Sequence, residues 1–237
     1  MTQEEREKRS RENLPVELVL VRHGEPDWER GKGTGDPGLT ELGRIQAART
    51  AAHLRRLHID AIYCSPLQRA LETAEIVSDA QKLTPLVIND LEEIRVPALR
   101  NLSQTEVDSY FAAAARRSLQ ERWTGFPSGE SFRDFHKRVS SAIESILGHY
   151  DMHSRLSEEF TVWSAPSRGH LLRIAVIAHG GTNAVALTHL LGISPVPWEW
   201  LRFETALAAV SILALRAISD NGYVWSLQSF GRRDDLA

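Results

Sequence analysis

Two short, mostly apolar runs, Val16–Val21 and Arg173–Ala178, lead into histidine-glycine pairs, at Arg22-His23-Gly24 and at His179-Gly180-Gly181. Each run is rich in valine and isoleucine and too short for a typical helix, so each reads as a buried strand entering a loop. Further strand signals lie at Ala61–Cys64, Leu86–Ile88, Ala209–Leu215 and Tyr223–Gln228, the last two straddling Asp220-Asn221-Gly222, a good hairpin turn. Helix signals alternate with them. Thr40 offers an N-cap to a helix carrying Leu42, Ile45, Ala48, Ala52 and His53 at helical spacing. Leu67, Leu71, Ala74 and Val77 share one face of a second helix, and Phe132, Phe135, Val139, Ile143 and Ile146 one face of a third. Another helix follows His179 over 182–191.

This alternation predicts a three-layer α/β/α sandwich with a mostly parallel central sheet. Residues 14–237 are expected to form a single domain, with a small helical cap insertion around 95–128, helical over 105–122. The stretch 151–169 is polar and reads as loop, and Gly31–Gly38, with four glycines and a proline, as an irregular loop. Residues 1–13 form a charged leader without the apolar segment of a secretory signal. In open α/β sheets ligands bind beyond the carboxyl ends of the strands, where both histidines fall.

Composition narrows the function classes. A net charge of -3 gives no reason to expect nucleic acid or an anionic membrane as partner. The longest apolar stretches, such as Ala206–Leu215, fall short of a bilayer span. The one cysteine, Cys64, excludes an intrachain disulfide and fits a cytoplasmic protein.

The residues themselves suggest an anion pocket. Glycine after His23 permits close backbone approach to an anion, and arginine offers a planar donor fork to phosphate oxygens. Arg69 lies in the first turn of a helix that leaves a strand end, and Gly180 and Gly181 open a helix whose free N–H groups suit an anion. Glu93 stands among carboxylates at Asp90 and Glu92. Taken singly, each has a plainer reading: a structural histidine, a surface arginine, a solvated acidic turn.

Six blocks in order change that balance: VRHGEPDW from Val21, GLTELGRIQA from Gly38, CSPLQRALETA from Cys64, LEEI from Leu91, GESFRDFHKRV from Gly129 and AHGGTNAVAL from Ala178. Together they resemble the histidine phosphatase superfamily, also called the phosphoglycerate mutase-like family. The resemblance implies that His23 is a nucleophile that becomes phosphorylated. It implies that Arg22, Arg69 and His179, with Gly180, complete the phosphate pocket, and that Glu93 is the general acid and base, its neighbour Glu92 being the alternative if the register is off by one. The expected enzyme is a phosphoric monoester hydrolase acting on a small phosphate monoester, with no metal and no cofactor. A phosphoglycerate-type mutase and a non-catalytic phosphate-binding module are the alternatives, and a homodimer is compatible with the sequence.

The chain departs from the family pattern in places. Pro26 and Glu29 stand where members often carry a hydroxyl residue and asparagine, and Arg95-Val96-Pro97-Ala98 replaces a glycine-rich segment after the acid. Arg95, Arg100, Arg116, Arg117 and Arg122 could meet a second anionic group, although a solvated helix face is the plainer expectation. Trp123 and Phe126 either line the pocket mouth or anchor the cap.

Overall fold

A computed structural model describes residues 16–29, 35–96, 104–126, 128–165, 170–219 and 222–233. Strands β1 (Val16–Arg22), β2 (Ala61–Cys64), β3 (Leu86–Val87), β4 (Ser154–Ser157), β5 (Phe160–Trp163), β6 (Leu172–Ala178), β7 (Val210–Ser219) and β8 (Gly222–Arg232) form one sheet. Its order is β3-β2-β6-β1-β7-β8-β5-β4. The helices are α1 (Glu41–Leu54), α2 (Gln68–Gln81), α3 (Gln104–Ala115), α4 (Phe132–Gly148), α5 (Gly180–Leu190) and α6 (Glu199–Arg202). The leader, Arg100 and part of the glycine-rich loop lie outside the described residues.

Alternation along β1 organises the core. Val16, Leu18 and Leu20 point to one side, among Phe135, Ile143 and Ile146 of α4 and Val185 of α5. Val19 and Val21 point to the other, among Ala51 and Leu54 of α1 and Ala74 and Val77 of α2. A strand buried on both faces needs a near-continuous apolar run, which is what β1 and β6 carry.

The sheet is mixed rather than mostly parallel. β3, β2, β6 and β1 are parallel neighbours, but β1–β7, β7–β8, β8–β5 and β5–β4 all pair antiparallel. Connection length accounts for two of these: β8 begins three residues after β7 ends, and β4 and β5 are joined by a tight turn, and spans so short permit only antiparallel pairing. Residues 151–169 are accordingly not all loop, because β4 and β5 form a hairpin turning at Glu158, where φ is +57°.

The first helix is where expected, yet it presents a different face. Thr40 caps it, its hydroxyl accepting the Gly43 N–H at 2.9 Å. Leu42 and Ile45, however, are 49% and 43% exposed, and Gly43, Gln46, Ala47, Thr50, Ala51 and Leu54 face inward. Packing against the loop after β1 decides this. A Cβ on Gly24 would strike the Gly43 carbonyl, a Cβ on Gly43 would strike that of Glu25, and Gln46 Oε1 accepts the Glu25 N–H at 2.9 Å. The apolar spacing of Leu42, Ile45 and Ala48 is overruled by backbone contact. Leu54→Ala should therefore cost about 2–5 kcal/mol, and Leu42→Ala less than about 0.5 kcal/mol, read from urea midpoints; equal costs would restore the other face.

Trp123 anchors the segment between β3 and α4. Its ring meets Phe132 edge-on at 5.4 Å, and Arg133 stacks over it at 4.7 Å. Phe126 stacks on Tyr110 of α3 at 6.2 Å. Among the described residues no helix is long and apolar enough to cross a membrane.

Candidate active site

The parallel register of β1 and β6 sets Arg22 opposite Ala178, so the residues that follow, His23 and His179, emerge side by side. The His23 N–H donates to the Ala178 carbonyl at 3.0 Å, and the two rings meet edge-on with centroids 5.1 Å apart. Both histidines are buried. Adjacent parallel strands thus bring together residues more than 150 positions apart.

His23 has a defined tautomer. Its Nδ1 lies 2.7 Å from the Gly24 carbonyl, which can only accept, so Nδ1 carries the proton and Nε2 keeps a free lone pair. Burial, reinforced by the charges of Arg69 and Arg22, lowers its pKa from the ordinary 6.5 to about 3. The imidazole is therefore neutral at physiological pH. Gly24 is tied down in turn, its N–H donating to Thr73 Oγ1 of α2 at 3.1 Å.

His179 is held from behind. Its Nε2 is 2.7 Å from the Ser65 hydroxyl at the end of β2, and that hydroxyl already accepts the Leu67 N–H at 3.3 Å. Burial first, then Arg69, keep His179 well below its ordinary pKa. Where the Ser65 hydroxyl donates to Nε2, Nδ1 of His179 carries the proton and is a donor.

Arg22, the last residue of β1, donates through Nη1 to the Thr205 carbonyl. Arg69, in the first turn of α2, is buried, lies under the exposed Trp28 ring at 5.5 Å and sits 3.6 Å from Asp36. Asp36 also accepts the Gln68 N–H at 2.9 Å, at the start of the same helix. Arg22 Nε, Arg69 Nη1 and His179 Nδ1 are buried without a hydrogen-bond partner among the described residues, Arg69 Nη1 being the atom in the longer ion-pair contact to Asp36. Buried donors are nearly always paired, so three orphans around one neutral histidine call for an anionic ligand. Burial lowers the pKa of both arginines, but a guanidinium starts so high that each stays charged.

Glu93 faces the same centre from the loop after β3. Its Oε2 accepts the Gly181 N–H at 2.8 Å, at the start of α5, and its Oε1 accepts the Ile94 N–H at 3.0 Å. Burial raises its pKa, outweighing these N–H bonds and the charges of Arg69 and Arg22. A Cβ on Gly181 would collide with the Glu93 carboxylate, and one on Gly180 would lie 3.5 Å from Arg22 Cζ. Gly181 thus leaves room for the Glu93 carboxylate, whereas a side chain at Gly180 would meet Arg22 only in ordinary contact. Glu92 points elsewhere, bonding Arg95 Nε at 2.8 Å.

His23, Arg22, Arg69, Glu93, His179 and Gly180 are thus gathered beyond the carboxyl ends of the parallel strands. Ser65, Thr73 and Thr205 support them without having been singled out in sequence. The first two lie inside the block after β2; Thr205 carries no local signal. Of the cap arginines, Arg95 pairs with Glu92 and Arg117 bonds Thr124 and the Gly125 carbonyl, so both are spent on local structure.

The family model described as "Histidine phosphatase superfamily (branch 1)" matches residues 18–225. A bifunctional protein of Mycobacterium tuberculosis (strain ATCC 25618 / H37Rv) is 37% identical over 141 residues, which make up 58% of this chain and 39% of that protein. The chain thus spans about two fifths of that relative's length. A 2,3-bisphosphoglycerate-dependent phosphoglycerate mutase of Bartonella henselae is 31% identical over 70% of this chain and 82% of its own. Among solved structures, a mycobacterial glucosyl-3-phosphoglycerate phosphatase complexed with VO3 superposes with a TM-score of 0.66 at 26% identity, covering 91% of this chain and 98% of that one. With the family model spanning β1 to β8, the chain belongs to the histidine phosphatase superfamily, branch 1.

Proposed function

We propose that the protein is a phosphatase that hydrolyses a small phosphate monoester through a phosphohistidine on His23. The observation that carries this is the trio of orphaned buried donors, on Arg22, Arg69 and His179, around a neutral imidazole with a free Nε2 lone pair. A phosphate monoester dianion brings the oxygens those donors lack, and phosphoryl transfer depends mainly on positioning and charge stabilisation.

In the first step Nε2 of His23 attacks phosphorus, the Nε2–P bond forms and the ester P–O bond breaks. The departing oxygen takes a proton from Glu93, whose raised pKa keeps that proton available. In the second step the Glu93 carboxylate takes a proton from water, whose oxygen bonds to phosphorus as the Nε2–P bond breaks. His23 and Glu93 return to their starting states. In this reading residues 14–237 act as one domain, with the segment around 95–128 as its cap.

A second reading, a phosphoglycerate-type mutase, is favoured by the likeness to the Bartonella henselae mutase. The two differ in where the phosphoryl group ends. A panel of phosphate monoesters, assayed with a metal chelator present, should release inorganic phosphate. Isomerisation of a phosphoglycerate without net phosphate release would support the mutase, and turnover of neither would leave a binding module.

A further inference from the structure

The loop that carries Glu93 is braced by a buried ion pair that does not touch the pocket donors. Arg138 of α4 and Glu130, just before that helix, have side chains 11% and 8% exposed. Arg138 Nε and Nη2 donate to the two Glu130 oxygens at 2.8 and 2.7 Å. Its Nη1 donates to the carbonyls of Asp90, at 2.8 Å, and Glu92, at 3.0 Å. Glu130 closes the other end: Oε2 accepts the Arg95 N–H at 3.2 Å, and its own N–H donates to the Arg95 carbonyl at 2.8 Å. The backbone on both sides of Glu93 is therefore tied to one guanidinium–carboxylate fork.

From the opposite side, α5 holds the same loop, with Thr182 Oγ1 donating to the Glu92 carbonyl at 3.2 Å and the Gly181 N–H to the Glu93 carboxylate at 2.8 Å. Burying two charges is costly unless nearly every donor and acceptor is used, and here they are used on the Glu93 loop. Only a planar guanidinium can grip a carboxylate bidentately and still reach two carbonyls. Glu93 needs such support because it must meet the leaving oxygen within hydrogen-bonding reach.

We propose that the Glu130–Arg138 pair is a positioning device for the general acid, fixing the 90–95 backbone so that the Glu93 carboxyl reaches the leaving oxygen. The proposal rests on Glu93 being the acid. It predicts a defect selective for poor leaving groups, because a nitrophenolate departs without protonation and an alkoxide does not. A misplacement near 1 Å can cost about 100-fold. Arg138→Lys should therefore lose about 100-fold in kcat/KM on an alkyl phosphate and less than about threefold on p-nitrophenyl phosphate.

Glu130→Gln, which keeps shape and loses charge, should show the same bias at smaller size. Added to Glu93→Gln, Arg138→Lys should cost nothing further on the alkyl ester, since there is no acid left to position. Equal losses on both esters, or additive losses in the double variant, overturn the proposal and leave the pair a stabilising contact. If Glu93→Gln itself shows no leaving-group bias, the reading of Glu93 falls and takes the proposal with it. A biased Glu93→Gln beside an unbiased Arg138→Lys sinks the positioning role alone.

Discussion

His23→Asn is expected to lower kcat for phosphate monoester hydrolysis by at least about 10,000-fold, the scale on which removal of a covalent nucleophile acts. Asparagine is smaller and uncharged, as the native imidazole is, so the pocket charge is unchanged. Arg22, Arg69 and His179 stay in place to meet the anion. Inorganic phosphate should still bind the variant within about tenfold of the native affinity, because an uncharged side chain contributes little beside two arginines. Collapse of turnover with binding retained separates a nucleophile from a residue that merely holds the pocket together. A loss of both together would mark His23 as structural.

Glu93→Gln is the second large effect, and its size depends on the substrate. General acid catalysis contributes about 100- to 10,000-fold, so kcat/KM on an alkyl phosphate should fall within that range. On p-nitrophenyl phosphate the fall in kcat/KM should be less than about tenfold, since that leaving group needs little protonation. The second step loses its base for either substrate. An aryl ester should therefore give a burst of phenol followed by slow turnover. The pH profile carries a further sign. Burial pushes the Glu93 pKa upward, so the protonated acid persists above the usual carboxylate range and is lost as pH rises through its own raised value. Native kcat/KM on the alkyl ester should fall on that basic limb, and Glu93→Gln should lack it.

Much of this site was legible in sequence because its parts sit at strand ends. β1 and β6 announce themselves by apolar runs buried on both faces, and each hands directly to a histidine and a glycine. The ordered blocks then tie Arg69 and Glu93 to the same pocket across long separations. Pairing direction was legible only for β7–β8, where Asp220-Asn221-Gly222 marks a hairpin; nothing within β1, β5, β7 or β8 states that β1–β7 and β5–β8 also run antiparallel. The β4–β5 hairpin escaped notice because Ser154-Arg155-Leu156-Ser157 is polar and lies at the sheet edge, where strands need no apolar pattern. In α1 the inward face follows Gly43 and Gln46, whose roles come from contact with the loop after β1 and not from hydrophobic spacing. Arg138 lies within the block that begins at Gly129, but its hold on Asp90 and Glu92 is a tertiary fact, spanning more than 40 residues.

On the proposed mechanism His23 carries the phosphoryl group between the two steps. Rapid quenching of the full chain during turnover of p-nitrophenyl phosphate, in base to preserve a phosphoramidate, followed by peptide mass spectrometry, tests it most directly. Glu93→Gln should raise the trapped fraction by slowing the second step. One phosphoryl adduct is expected, on His23, labile in acid and absent from His23→Asn. Steady hydrolysis with no adduct on His23, or with the adduct on another residue, would contradict it.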